Sequence, residues 1–203
     1  LNLNSTAVAS VSAAAKTTLT SGATPAIAVA DLNYAIKDTA SNIIAADTSD
    51  GTYISGANSV TVTDAISIDD FNTIDAKAGT SIILTGGISG TAASIAPSGS
   101  AVAGFTAAVT QDPDVAVTIT GTNPTFGELN AVAGVTSGIV TASISDTAGN
   151  LAGSLSTAST DAITVTVTGT SADAANLNTI DGVTSLAVVA TSVATITDRK
   201  SVV

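Results

Sequence analysis

A chain of 203 residues with sixteen acids, five bases and no His, Cys, Met or Trp lacks the side chains on which most enzymes and transition-metal sites are built. Its formal net charge of -11 repels phosphate backbones and anionic lipid, so nucleic acid is not an expected partner. Yet 45 % of its residues are hydrophobic, and 38 Ala, 34 Thr and 24 Ser make up nearly half the chain against 2 % aromatics, so a thin, regular core of small side chains is expected rather than an acidic disordered tail.

In chain order, Leu1 to Thr6 carry neither Met nor a basic stretch, as expected of a processed or internal segment. Residues 6–19 are small and largely apolar, suited to packing against another copy or repeat. A run Ala26-Ile-Ala-Val29, a pair Leu32-Asn33, a second run Ser41-Asn-Ile-Ile44 and a closing Ile54-Ser-Gly56 form the first, degenerate unit. The second opens on Val60-Thr-Val-Thr-Asp64, continues through Phe71-Asn72 and Ser81-Ile-Ile-Leu84, and closes on Ile88-Ser-Gly90. The third runs Val117-Thr-Ile-Thr-Gly121, Leu129-Asn130, Ser137-Gly-Ile-Val140, Ile144-Ser-Asp146. The fourth runs Val165-Thr-Val-Thr-Gly169, Leu177-Asn178, Ser185-Leu-Ala-Val-Val189, Ile196-Thr-Asp198. Successive Asn residues stand 39, 58 and 48 positions apart, which places loops of adjustable length on a constant frame.

Strict alternation of Val or Ile with Thr predicts half-buried strands, ended by Gly or Asp turns. Ser67-Ile-Asp-Asp70 and Thr125-Phe-Gly-Glu128 read as capping boxes, with apolar pairs Phe71/Ile74 and Leu129/Val132 at helical spacing, so one or two helical turns follow each strand. A unit this small cannot bury its own apolar face, and stacking neighbours completes it. The expected fold is therefore mainly β: a repeat-built β-solenoid with short helical turns. A β-sandwich of bacterial Ig-like type is the alternative. The expected divisions are 1–57 (degenerate repeat and inter-subunit packing), 58–114, 115–160, and 161–203 with the tail. Leu32, Asn33, Phe71, Asn72, Leu129, Asn130, Leu177 and Asn178 mark matching levels, where the asparagines could form a ladder.

Asp64, Asp69, Asp70 and Asp75 gather a weak candidate Ca²⁺ site, although no calcium-loop spacing is present and acids at a helix start complement the helix dipole. No other cofactor is expected. One Glu and two Tyr are a poor basis for a glycosidase cleft. Thr61/Thr63, Thr118/Thr120 and Thr164/Thr166/Thr168 could align as a hydroxyl-methyl face like those of ice-binding proteins. No stretch reaches the ~18 apolar residues of a bilayer span, so no membrane insertion is expected.

The grouping of Val-Thr-Val-Thr-Gly, Ala-Asn-Leu-Asn-Thr-Ile-Asp, Thr-Ser and Ile-Thr-Asp, best carried by residues 161–198, resembles repeats in the giant cell-surface proteins of marine bacteria, especially unicellular cyanobacteria. Residues 58–91 and 115–148 carry it moderately. The resemblance implies an exported, repetitive, calcium-tolerant structural protein without catalytic residues. The expected role is thus a non-enzymatic component of an extracellular filament, sheath or cell-surface layer, its partner itself, head to tail. A surface adhesin, or an ice- or polysaccharide-binding module, is the alternative.

Overall fold

A computed structural model describes residues 9–10, 34–121 and 123–198, in two compact units: one of residues up to 88 together with 110–112, the other of 89–109 and 113 onward. In the first unit β1 (Ala9–Ser10), β2 (Tyr34–Asp38), β3 (Ser59–Val62) and β4 (Ile82–Leu84) form one sheet in that order, every neighbour parallel. The returns are helical: α1 (Ala40–Asp50) follows β2 and α2 (Ile68–Asp75) follows β3. Tyr34, Ile36, Ile43, Val60, Val62, Phe71, Ile74 and Ile82 are each at most 1 % exposed and make the core between sheet and helices. Buried Asp47 closes α1 onto the following loop: one oxygen accepts from Ile54 N at 2.8 Å and the other pairs with Lys77 Nζ.

The second unit repeats this construction. A sheet ordered β5 (Ile88–Thr91, its first residue counted in the first unit), β6 (Val117–Thr120), β7 (Val140–Thr147), β8 (Ala162–Thr168) alternates with α3 (Ala92–Ile95), α4 (Ala103–Gln111), α5 (Phe126–Ala133) and α6 (Ala148–Ser154). Then β9 (Ser171–Asp173), α7 (Ala174–Asp181) and β10 (Thr195–Thr197) add a parallel two-stranded sheet. The last residues of α4 belong to the first unit.

Why these residues form helices is visible in their first turns. Thr39, Ser67, Thr91, Thr125, Thr147 and Asp173 each sit at an N-cap and accept a backbone N–H two or three residues on; Thr125 and Glu128 complete a full capping box. The residue after the cap is Ala in four of the six, the best helix former. Four positions past the cap stands a large apolar residue: Ile43, Phe71, Ile95, Leu129 and Leu151 are all at 0 % exposure. A parallel pair of strands requires a crossover, and these capped helices supply it.

The mainly-β expectation is corrected accordingly. The fold is mixed α/β, with 35 % helix and 26 % strand, neither a β-solenoid with incidental helical turns nor an Ig-like sandwich. A sandwich pairs its strands antiparallel, whereas the strands here are parallel. Alanine, counted as thin β core, stands more often in helices than in strands, and the run Ser41 to Ile44 lies inside α1. The period also differs. Ala9 pairs with Tyr34, Ala35 with Ser59, Val60 with Ile82, Val117 with Val140, Thr141 with Ala162 and Ser171 with Thr195, so in these pairs the chain returns to its sheet after 21 to 25 residues, while the connection from β5 to β6 is longer and holds α3 and α4. Residues 115–160 accordingly hold two strand–helix turns, β6–α5 and β7–α6.

Candidate functional site

Between each helix and the next strand the chain must turn sharply against the strand before it. In the second unit two identical tetrapeptides do this, Gly134-Val-Thr-Ser137 and Gly182-Val-Thr-Ser185, with matching hydrogen bonds. Thr136 Oγ1 donates to the Val115 carbonyl at 2.7 Å and Thr184 Oγ1 to the Ile163 carbonyl at 2.7 Å. Ser137 donates its N–H and its hydroxyl to the Pro113 carbonyl; Ser185 donates the same pair to Asp161 O. Each threonine oxygen then accepts from the N–H two residues on, Gly138 or Leu186. Gly138 has to be glycine because a Cβ there would run into the Asp114 and Val115 carbonyl oxygens.

Further polar groups join successive turns. Asp161, 3 % exposed, accepts from Val140 N at 2.9 Å and from Ala158 N at 2.8 Å. Asn130 donates to Ser154 O and accepts from Ser156 N, both at 2.8 Å. In the first unit Gln111 Oε1 and Asp112 Oδ2 accept from Ile82 N and Leu84 N at 2.7 and 2.8 Å, so side chains occupy the edge of β4 where another strand would bond. These groups hold backbone to backbone, and their hydrogen-bonding capacity is directed inward to the chain itself.

The outward side of the second unit's sheet is a hydroxyl array. Thr118 stands beside Thr141, Ser143 beside Thr164, Ser145 beside Thr166 and Thr147 beside Thr168, in register and without a charged group among them. The first unit does not continue the pattern: Thr61 lies between Lys37 and Ile83.

Of the positions read as repeat markers, Phe71 and Leu129 are equivalent and fully buried four residues past their caps, and Leu177 holds the same place in α7 but is half-buried. Leu32 and Asn33 lie outside the described residues, as does nearly all of 6–19. Asn72 and Asn178 are exposed, and their backbone carbonyls accept from the residues ending their helices. Asn130 reaches the next turn through backbone atoms; no side-chain bond joins one of these asparagines to another among the described residues. The acidic group does not converge either. Asp64 Oδ1 accepts from Ala40 N at 2.8 Å, Asp70 Oδ2 from Ser67 Oγ at 2.9 Å, and Asp75 from Gln111 Nε2, while Asp69 stands exposed in the first turn of α2. Among the described residues no three His, Cys, Asp or Glu side chains are grouped to hold a metal, and no helix is long and apolar enough to cross a membrane.

The Thr-Ser corner had a sequence signal, the repeated Gly-Val-Thr-Ser, whose hydrogen-bonding role only the fold reveals. Gln111, Asp112 and Asp161 had none, because the strand N–H groups they accept from lie 21 to 29 residues away. No family model matches the chain, and no curated protein or solved structure matches it either.

Proposed function

We propose that this chain is a non-enzymatic structural protein of an extracellular filament, sheath or cell-surface layer, built to associate with copies of itself. The observation that carries this reading is the Thr-Ser corner, present twice with the same bonds, in which side chains suited to chemistry or ligand binding tie one turn of backbone to the next. Such stitching gives a stiff, protease-resistant body made of inexpensive small residues, the requirement of a load-bearing assembly. The extracellular placement rests on the resemblance to marine-bacterial surface repeats and on the absence of oxidisable Cys, Met and Trp from the sequence. The test is direct: purified protein concentrated and imaged in negative stain forms elongated polymers, and antibody raised against it labels the outside of intact source cells. A strict monomer by sedimentation at the highest attainable concentration, or labelling confined to the cell interior, overturns the proposal.

A second reading is favoured by one feature, the in-register hydroxyl array of β6, β7 and β8. An uncharged sheet face rich in Thr and Ser hydroxyls, on strands about 4.8 Å apart, suits an ordered neutral surface such as ice. Thermal hysteresis with faceted ice crystals supports it. Unshaped crystals and freezing at the equilibrium point reject it.

A further inference from the structure

Among the described residues β4 is the last strand of the first unit's sheet, so one of its edges has no strand beside it. The N–H of Thr85 faces β3, where the Val62 carbonyl accepts it at 3.0 Å. Backbone groups alternate in direction along a strand, so the N–H groups of Ile82 and Leu84 face the open edge. Neither is left for a newcomer: Gln111 Oε1 accepts the first at 2.7 Å and Asp112 Oδ2 the second at 2.8 Å. Gln111 is itself held in place, because its side-chain amide donates to Asp75 Oδ1.

The segment behind this cover is of the kind that pairs with itself. Ser81-Ile-Ile-Leu-Thr85 is uncharged, rich in β-branched residues and free of Pro and Gly, and Ile83 stands 48 % exposed on it. Edge strands are ordinarily protected by a charge or a proline of their own, yet the sequence holds no charged residue between Lys77 and Asp112. The first charge after the strand is thus the one folded back onto its edge.

We propose that β4 is a latent self-pairing strand, and that Gln111 and Asp112 keep it shut by occupying the two N–H groups that the β4 of a second copy would take. Two copies meeting through the same edge are related by a two-fold axis, so they pair antiparallel and close as a dimer. The inference is independent of the filament reading: a filament joined elsewhere needs this edge silent, and a monomer needs it equally.

The probe is a fluorescent peptide with the β4 sequence, Thr80-Ser-Ile-Ile-Leu-Thr85, extended by a lysine pair for solubility. Its control carries Ile83→Pro, which keeps the charge but cannot complete a ladder. In anisotropy titrations wild type is expected to show no preference between the two peptides. The Gln111→Ala/Asp112→Ala protein is expected to bind the native peptide at least about tenfold more tightly than the control. Asp112→Asn, which retains an acceptor oxygen, is expected to behave as wild type. A preference shown by wild type, its absence in a double variant with native circular dichroism, or Asp112→Asn matching the double variant overturns the proposal. If the double variant loses its native circular dichroism, Asp112→Ala alone, with Gln111 still bonded to Asp75, decides by the same two peptides and by amide exchange. There the Leu84 amide is expected to exchange roughly tenfold faster than in wild type while Thr85 keeps its rate. Unchanged Leu84 exchange, or no preference for the native peptide, overturns the proposal.

Discussion

Threonine does two opposite jobs in this chain, and the difference is where its oxygen ends up. At Thr136 and Thr184 the hydroxyl is buried and bonded to a strand carbonyl, whereas Thr80, which stands before Ser81 at the corresponding corner of the first unit, has a buried oxygen with no partner. Replacing a satisfied hydroxyl by a methyl strands its carbonyl partner, so Thr136→Val and Thr184→Val are each expected to cost about 1–3 kcal/mol in denaturant melts. Thr80→Val removes an unpaired polar atom, and its expected effect is zero or stabilising. Among the described residues one titration is strongly displaced. Burial, then the charge of Asp38 and the neighbouring Tyr34, push the Tyr53 phenol from 10.0 up to about 12. The folded state therefore keeps a proton that the unfolded chain releases. This contribution to stability is whole below pH 10 and is lost as pH rises through 12, a trend that chemical melts followed alongside phenolate absorbance will trace.

An element here is a strand, a cap and a short helix, and its stability comes from packing, because helices of eight residues do not persist alone. The cap directs the chain out of the strand; the apolar residue four places later fastens the helix to the sheet. Leu129→Ala is expected to cost about 2–5 kcal/mol, the range for a fully buried leucine. Leu177→Ala, at the equivalent place in α7, is expected to cost less than about half as much in the monomer, since its side chain already meets water. Thermal melts of the two variants at low protein concentration make the comparison. The caps themselves were legible: Ser67 and Thr125 were readable as capping residues because the N-cap preference is local and chemical. Thr39, Thr91 and Thr147 carry no such local mark, because Thr is so abundant that a cap and a strand residue look alike in the sequence.

At the scale of the whole molecule the acidic charge has no concentrated purpose among the described residues. Asp64, Asp70 and Asp75 are engaged by Ala40, Ser67 and Gln111 respectively, so a chelator is expected to leave the melting temperature unchanged. A fall of more than about 5 °C on chelation, reversed by Ca²⁺, would establish a bound ion that stabilises the native state. Within each four-stranded sheet every strand lies beside the next in chain order, mostly 21 to 25 residues on, so nearly all the ordering is local in sequence. That arrangement accounts for why the Asn spacing misled: it registered only alternate or more widely spaced turns, those in which Leu or Phe happened to precede Asn.

Composition and pattern by themselves determined that the chain folds on small side chains, that the Val-Thr runs are strands, that helices start at Ser67 and Thr125, and that similar segments recur. Each of these follows from interactions between residues a few positions apart, where alternation and capping leave a direct mark. Only the tertiary structure decided that the strands lie parallel, that alanine serves helices more than sheet, and which of the many threonines are stitches. Those outcomes depend on which backbone lies alongside about twenty residues away, and a chain written in three small residue types carries little information about that until it is packed.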